Sequence, residues 1–294
     1  MAKSMWGQPE DNFILYMDVL GGENLINSPQ VIKLSTFIKW ALDETKRVNL
    51  VYNRTLDEGR KIYFKMFSDN IIICTKSNYK FLLEIAAGWQ RKLSDFGIFL
   101  RGALCHGSII KEDDFVLGSG LVKAYKLEGN VAKYPRIIID ESFSEKADND
   151  ILEAYTTNFR GGGDDVLFVD YLRLAVDGLY RSEVAPFFIN HGFAIKNNLF
   201  YTAYVTPFSE EENERKIKEK ILEKHEWLRK YHDHFLKNAT FDFIKNQNSE
   251  AVDCFKYFGI GEDIAAWRDM HLLHLQGDLK YLPLDYSAPW KCST

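Results

Sequence analysis

Apolar residues run almost unbroken from Phe13 to Leu20, and only Asp18 interrupts them. Such a run predicts a strand covered on both faces. Gly21-Gly22 break it, and Ile32, Leu34, Phe37, Ile38, Ala41 and Leu42 then recur at helical spacing. Lys61 to Phe67 and Ile71 to Thr75 read as two short strands joined tightly at Ser68-Asp69-Asn70, which puts Asp69 at a hairpin tip. A helix from Tyr79 to about Leu93 carries Phe81, Leu82, Ile85, Ala86 and Trp89 on one face. Ile98 to Ile110 is a further strand, and Gly118-Ser-Gly120 opens a helix through Leu121, Ala124, Tyr125 and Leu127. Arg136 to Asp140 and Val166 to Tyr171 are the remaining strands, with a polar surface segment expected from Asp148 to Gly163. The order βαββαβ, then helix and strand, predicts an α+β, ferredoxin-like or palm-type fold rather than a doubly wound one.

The character changes after Phe208. Ser209-x-x-Glu212 matches a capping box, and Ile217, Ile221, Leu228, Tyr231 and Phe235 mark one long amphipathic helix rich in Lys and Glu. The expected organisation is therefore a sheet-bearing domain over 1–207 and a helical extension over 208–294. At 294 residues and 46% hydrophobic content the chain can bury a sizeable core. A net charge of −5 argues against broad nucleic-acid binding. No leader-like or membrane-spanning apolar run stands out. Cys74 and Cys105 lie in apolar strand patterns and read as buried free thiols, so a cytoplasmic location without membrane insertion is expected.

The candidate chemistry sits on Asp18 and Asp69. A carboxylate at the end of a buried strand is costly unless paired, and two brought together repel unless cations lie between them. Mg²⁺ takes one or two carboxylates and completes its shell with water and phosphate oxygens, so the pair points to metal-dependent phosphoryl transfer. The Gly21-Gly22 turn offers backbone N–H groups to phosphate. The alternative is that each aspartate merely caps a turn. Arg101 reads equally as a phosphate ligand or as a strand-end charge. Tyr63 shares a strand face with Lys65 and could stack on a base, although a core aromatic is the better reading. His106 reads as a core histidine. His232 and His234 point to different helix faces, which disfavours a metal.

Tyr16-Met-Asp18-Val-Leu-Gly21, Lys65-Met-Phe-Ser-Asp69, Leu100 to Ile109, Leu117 to Glu128 and Arg136 to Asp140 together resemble the class III nucleotide cyclase homology domain over roughly Asn12 to Tyr171. The resemblance implies a cyclase that makes a 3′,5′-cyclic nucleotide and pyrophosphate from a nucleoside triphosphate. It implies two divalent cations, Mg²⁺ or Mn²⁺, on Asp18, Asp69 and the Val19 carbonyl, and phosphates on the backbone of Gly21 and Gly22. It further implies a homodimer with shared sites. Val122 stands at the family's usual Asn position and Lys126 at its transition-state Arg, which keeps the charge but loses the bidentate fork. Lys65 is in register with the purine-selecting Lys, but Phe115 replaces its acid, although Asp113 and Asp114 are adjacent. These departures resemble the bacterial pyrimidine cyclases of Pycsar anti-phage systems, which implies cyclic UMP or cyclic CMP. A catalytically degenerate nucleotide- or partner-binding module, a purine cyclase and a diguanylate-cyclase or polymerase-like palm remain open alternatives.

Overall fold

The computed structural model describes residues 8–27, 31–54, 58–112, 115–159, 163–178 and 211–246, with scattered positions between 187 and 202. The chain forms two compact units, residues 1–235 and 236–294. The boundary expected near Phe208 and the capping residue Ser209 lie outside the described residues. Of the second unit only helix backbone as far as Asn246 is described.

In the first unit the sequence's apolar runs become β1 (Glu10–Val19), β2 (Tyr63–Phe67), β3 (Asn70–Thr75) and β4 (Leu100–Lys111). Later come β5 (Val116–Leu117), β6 (Ile137–Ile139), β7 (Thr156–Asn158) and β8 (Leu167–Val169). The helices are α1 (Gly22–Ile26), α2 (Val31–Arg54), α3 (Tyr79–Ser94), α4 (Ser119–Asn130), α5 (Glu141–Ser144), α6 (Asn149–Tyr155), α7 (Tyr171–Gly178) and α8 (Glu212–Asn246). The sheet order is β2-β3-β1-β4-β6-β8-β7, with β5 paired to β4. Neighbours are antiparallel except β4 and β6. Its first four strands have the ferredoxin-like order, so the α+β expectation holds. Among the described residues no helix is long and apolar enough to cross a membrane.

Alternation along β1 divides the core. Ile14 and Tyr16 pack with Cys74 and Cys105 against Ala124 of α4. Phe13 points the other way, onto Tyr79 of α3 and Phe143 of α5. Below it Phe37, Phe64 and Trp89 interlock. Close approach of α4 depends on a glycine pair: a Cβ on Gly107 would lie 2.8 Å from the Gly120 Cα. Both thiols are buried and unbridged, and burial pushes each up to about 12.

Two expectations need correction. The segment from Asp148 to Gly163 is not simply a polar surface stretch. Asp148 caps α6 by accepting from the Ile151 N–H, and β7 then pairs with β8, burying Leu152 and Phe159. The strand expected through Tyr171 stops at Val169, because Asp170 starts α7 by accepting from the Arg173 N–H. In both places a single Asp cap outweighs a mixed apolar pattern.

Helix α8 buries Leu228 and Tyr231 of its expected stripe in the first unit, with Trp227 beside them, whereas Ile217 at the head of that stripe is 58% exposed. Trp227 stacks on Tyr134 at 5.2 Å and 2°, and it also meets Phe159 and Phe168. The Arg136 guanidinium lies over the Tyr134, Phe168 and Trp227 rings while binding both oxygens of Asp164 at 2.7 and 2.6 Å. A cation held between rings and a carboxylate thus joins β6, the loop before β8 and α8.

Candidate functional site

The ends of four strands meet at one edge of the sheet. Register places Phe67, Asn70, Asp18 and Arg101 abreast, and Lys65, Ile72, Tyr16 and Ala103 in the next row on the same face. The β2–β3 hairpin turns on Ser68, whose φ of 56° is left-handed, and Asp69. The Asp69 carbonyl accepts from the Val19 N–H at 3.3 Å, tying the hairpin tip to the end of β1. Its carboxylate lies directly on Gly22, where a Cβ would come within 1.9 Å of Oδ2. The sequence therefore brings Asp18, Asp69, Gly21 and Gly22 together, and Gly21 adopts a φ of 73° that suits glycine.

Burial raises the Asp18 carboxyl above its usual range. Arg101 opposes that shift, and the neighbouring Asp69 charge adds to it. Arg101 is the direct cross-strand partner of Asp18, and its Nε and Nη2 donate to Oδ2 at 3.1 and 3.0 Å. The same Nε lies 2.5 Å from Glu128 Oε1. Arg101 is thus committed to two carboxylates within its own chain. Asn70 Nδ2 donates to Asp69 Oδ1 at 3.3 Å, and Tyr16 donates its hydroxyl to Asn70 Oδ1. Burial and the surrounding acids raise the Tyr16 hydroxyl well beyond its ordinary value, so it stays a donor.

Glu128 was not singled out by sequence reasoning. It sits two residues after Lys126, on the opposite side of α4, and is buried except for 4% of its surface. Burial raises its pKa, partly offset by Arg101. An acid on the Ala124 side of the helix, four residues after an alanine that packs on the sheet, was the available signal.

The other expected residues lie apart from this cluster. Tyr63 packs against the α4-side core, and its hydroxyl donates to the Glu112 carbonyl at 2.8 Å, with the Phe115 carbonyl 3.1 Å away. Lys65 shares that face two residues nearer the site. Asp113 and Asp114 lie outside the described residues. Lys126 and Val122 are on the solvent side of α4, where with Leu127 and Val131 they line a shallow pocket, so one chain does not bring Lys126 to Asp18. His232 is buried, with Nδ1 2.8 Å from Nδ1 of His191, whereas His234 lies against Phe159. His106 packs edge-on against Phe13.

The donor set suits a hard cation. Asp18 Oδ2 is engaged by Arg101, while Oδ1 makes no hydrogen bond among the described residues. Two carboxylates with open oxygens suit an ion that fills its shell with water and phosphate oxygens. Among the described residues no group of three His, Cys, Asp or Glu could form an all-protein cage.

No protein-family model matches this chain, and no curated protein sequence is significantly similar to it. Among solved structures it is similar to a bacterial light-regulated adenylyl cyclase at 12% identity and a TM-score of 0.38. That match covers 57% of this chain and 54% of the other, about half its length. It is also similar to the catalytic core of a rhodopsin-guanylyl cyclase with converted specificity in complex with ATPalphaS, at 13% identity and a TM-score of 0.35. There the coverage is 54% of this chain and 94% of the other. An adenylate cyclase from Trypanosoma brucei gives 13% identity and a TM-score of 0.32, over 54% and 86%. Superposition at that level leaves the functional argument to the chain's own residues.

Proposed function

We propose that this protein is a nucleotidyl cyclase, converting a nucleoside triphosphate into a 3′,5′-cyclic monophosphate and pyrophosphate. The observation that carries the reading is the Asp69 carboxylate lying on Gly22, with the hairpin tip bonded to Val19 and its charge acting on Asp18, at the end of a βαββαβ sheet. Divalent cations there would supply Lewis-acid chemistry, lowering the pKa of the ribose hydroxyl and stabilising the departing pyrophosphate. Asp18 and Asp69, with the Val19 carbonyl, would hold them. Arg101 holds one Asp18 oxygen and leaves the other open, and the Tyr16–Asn70–Asp69 chain orients the second carboxylate. In the reaction the ribose 3′-hydroxyl gives up its proton to water, its oxygen bonds to the α-phosphorus, and the bond from that phosphorus to the α,β-bridging oxygen breaks, releasing pyrophosphate.

Lys126 acts from a second copy of the chain in this reading, since its own α4 turns it to solvent. The exposed apolar residues beside it, Val122 and Tyr125, suit a homodimer with two shared sites. We place the base near Lys65 and Phe115. An aromatic ring at the acid's position leaves a purine amine unpaired, at about 1–3 kcal/mol if buried, while Lys65 can still donate to a pyrimidine carbonyl. UTP or CTP should therefore be preferred, UTP slightly ahead, consistent with a second-messenger role in anti-phage defence. The test is incubation with each triphosphate and Mn²⁺, followed by mass spectrometry of the products. A cyclic UMP or CMP product supports the reading in full. A cyclic purine nucleotide overturns the base assignment, and no cyclic product overturns the activity. The last outcome would favour a nucleotide-binding module, for which Val122, an aliphatic residue 52% exposed where a ribose-binding polar group was expected, is the specific support.

A further inference from the structure

Helix α8 places a lysine where its packing pattern calls for an apolar residue. Lys224 stands three residues after Ile221 and four before the fully buried Leu228, on the stripe that faces the sheet unit. Its position is fixed from both sides. Glu223 accepts from the Tyr134 hydroxyl at 3.2 Å, and His225 packs on Phe99 at 6.2 Å, two residues before Arg101. One turn further on, Trp227 is stacked against Tyr134. The helix therefore delivers Lys224 to the Asp18, Arg101 and Glu128 cluster, and its charge interacts with all three.

Yet Lys224 makes no hydrogen bond and no ion pair among the described residues. Partial burial lowers its pKa, while Asp18 and Glu128 act in the other direction. Arg101, by contrast, is spent on those two carboxylates. A half-buried ammonium with open donors near Asp18, one of the candidate metal carboxylates, suits an anion with several oxygens.

We propose that Lys224 is a phosphate-binding residue of this site, supplied by α8 of the same chain and taking a polyphosphate oxygen of the bound nucleotide. The assignment rests on the cyclase reading for the nucleotide, but the polyphosphate contact can be tested separately. Lys224 joins the metal carboxylates in cis, whereas Lys126 acts in trans, so each site draws cations from both chains. It also gives α8 a part in substrate binding beyond covering the sheet.

The experiment is calorimetric titration of the full chain with inorganic tripolyphosphate and with the α,β-methylene analogue of UTP, each with and without Mn²⁺. Lys224→Gln should weaken both ligands about tenfold or more, and Lys224→Arg should recover most of the loss. Lys216→Gln, on the exposed side of the same helix and paired with Glu212, should bind as the wild type does. The thermal midpoint of Lys224→Gln should be unchanged or higher, which a structural role for the ammonium would not give. Unchanged affinity in Lys224→Gln overturns the proposal even if the wild type forms a cyclic nucleotide. Lys224-dependent tripolyphosphate binding in a protein that cyclises no triphosphate upholds Lys224 and removes the cyclase reading. A wild type that binds neither ligand overturns both.

Discussion

Gly22 is the residue on which the two candidate carboxylates depend most directly. Any side chain there meets the Asp69 carboxylate, so Gly22→Ala must displace Asp69 from its present position. A displacement of about 1 Å in a positioned group can cost on the order of a hundredfold in rate. Gly22→Ala should therefore reduce turnover by about that factor and weaken Mn²⁺ binding in paramagnetic resonance, with the circular dichroism spectrum intact. A second prediction concerns Glu128, whose carboxylate shares Arg101 with Asp18. Glu128→Gln removes one of two acids from a largely buried guanidinium. Because burial outweighs Arg101 at this acid, the neutral amide should leave the urea midpoint at pH 7 unchanged or higher, and a clear loss would mean that the Arg101 pairing dominates. Asp18 and Asp69 were legible because each interrupts an apolar strand beside a turn. Glu128 was not, because an acid near the end of a helix looks solvated until its Ala124-side position is weighed. Arg101 was half legible: its place on the strand was clear, but its bond to Asp18 depends on register between strands far apart in sequence.

Among the elements, α8 departs furthest from what its composition suggests. It is rich in Lys and Glu and its apolar stripe was visible, but nothing local showed that the stripe closes the sheet unit. The histidines around it carry a pH consequence. His191 is wholly buried, with Tyr171 Oη 2.7 Å from its Nε2 and His232 at its Nδ1, and burial lowers its pKa to about 3. His225 is lowered to about 4 for the same reason. Each takes up a proton more readily in the unfolded chain, where its pKa is near 6.5. The unfolded state therefore gains protons first as the pH falls. Stability should be full above about pH 7 and decline from there toward pH 4, by up to about 1.4 kcal/mol per pH unit for each histidine. Urea midpoints between pH 4 and 8 would show it, and His225→Phe should flatten part of the slope. A flat profile would mean that these rings are not held neutral by the fold. The βαββαβ core was readable because its strands follow plain apolar periods. The short α6 and β7 were not, because their positions depend on an Asp cap and on pairing with β8.

For the whole molecule, the split between Asp69 and Lys126 makes a specific demand. If each site uses one chain's carboxylates and the other's α4, an Asp69→Ala chain and a Lys126→Ala chain should each be inactive alone. Mixed, they should recover up to about a quarter of wild-type activity, because a random mixture gives half heterodimers, each with one intact site. No recovery in verified heterodimers would exclude shared sites. The stacking of Trp227 on Tyr134, with Arg136 beside them, also bears on how the chain comes to be made. A ribosome delivers β8 well before the helix that covers it. During that interval Phe159, Phe168 and the Arg136 guanidinium face water without their cover, a state prone to association with other nascent chains. A polypeptide released after residue 207 should remain in that condition and aggregate, whereas one released after residue 235, where the compact unit ends, should be soluble and cooperative in thermal melting. Completion of the sheet unit thus waits on late translation, and a premature stop anywhere before Tyr231 would yield a chain for proteolysis rather than a smaller working protein.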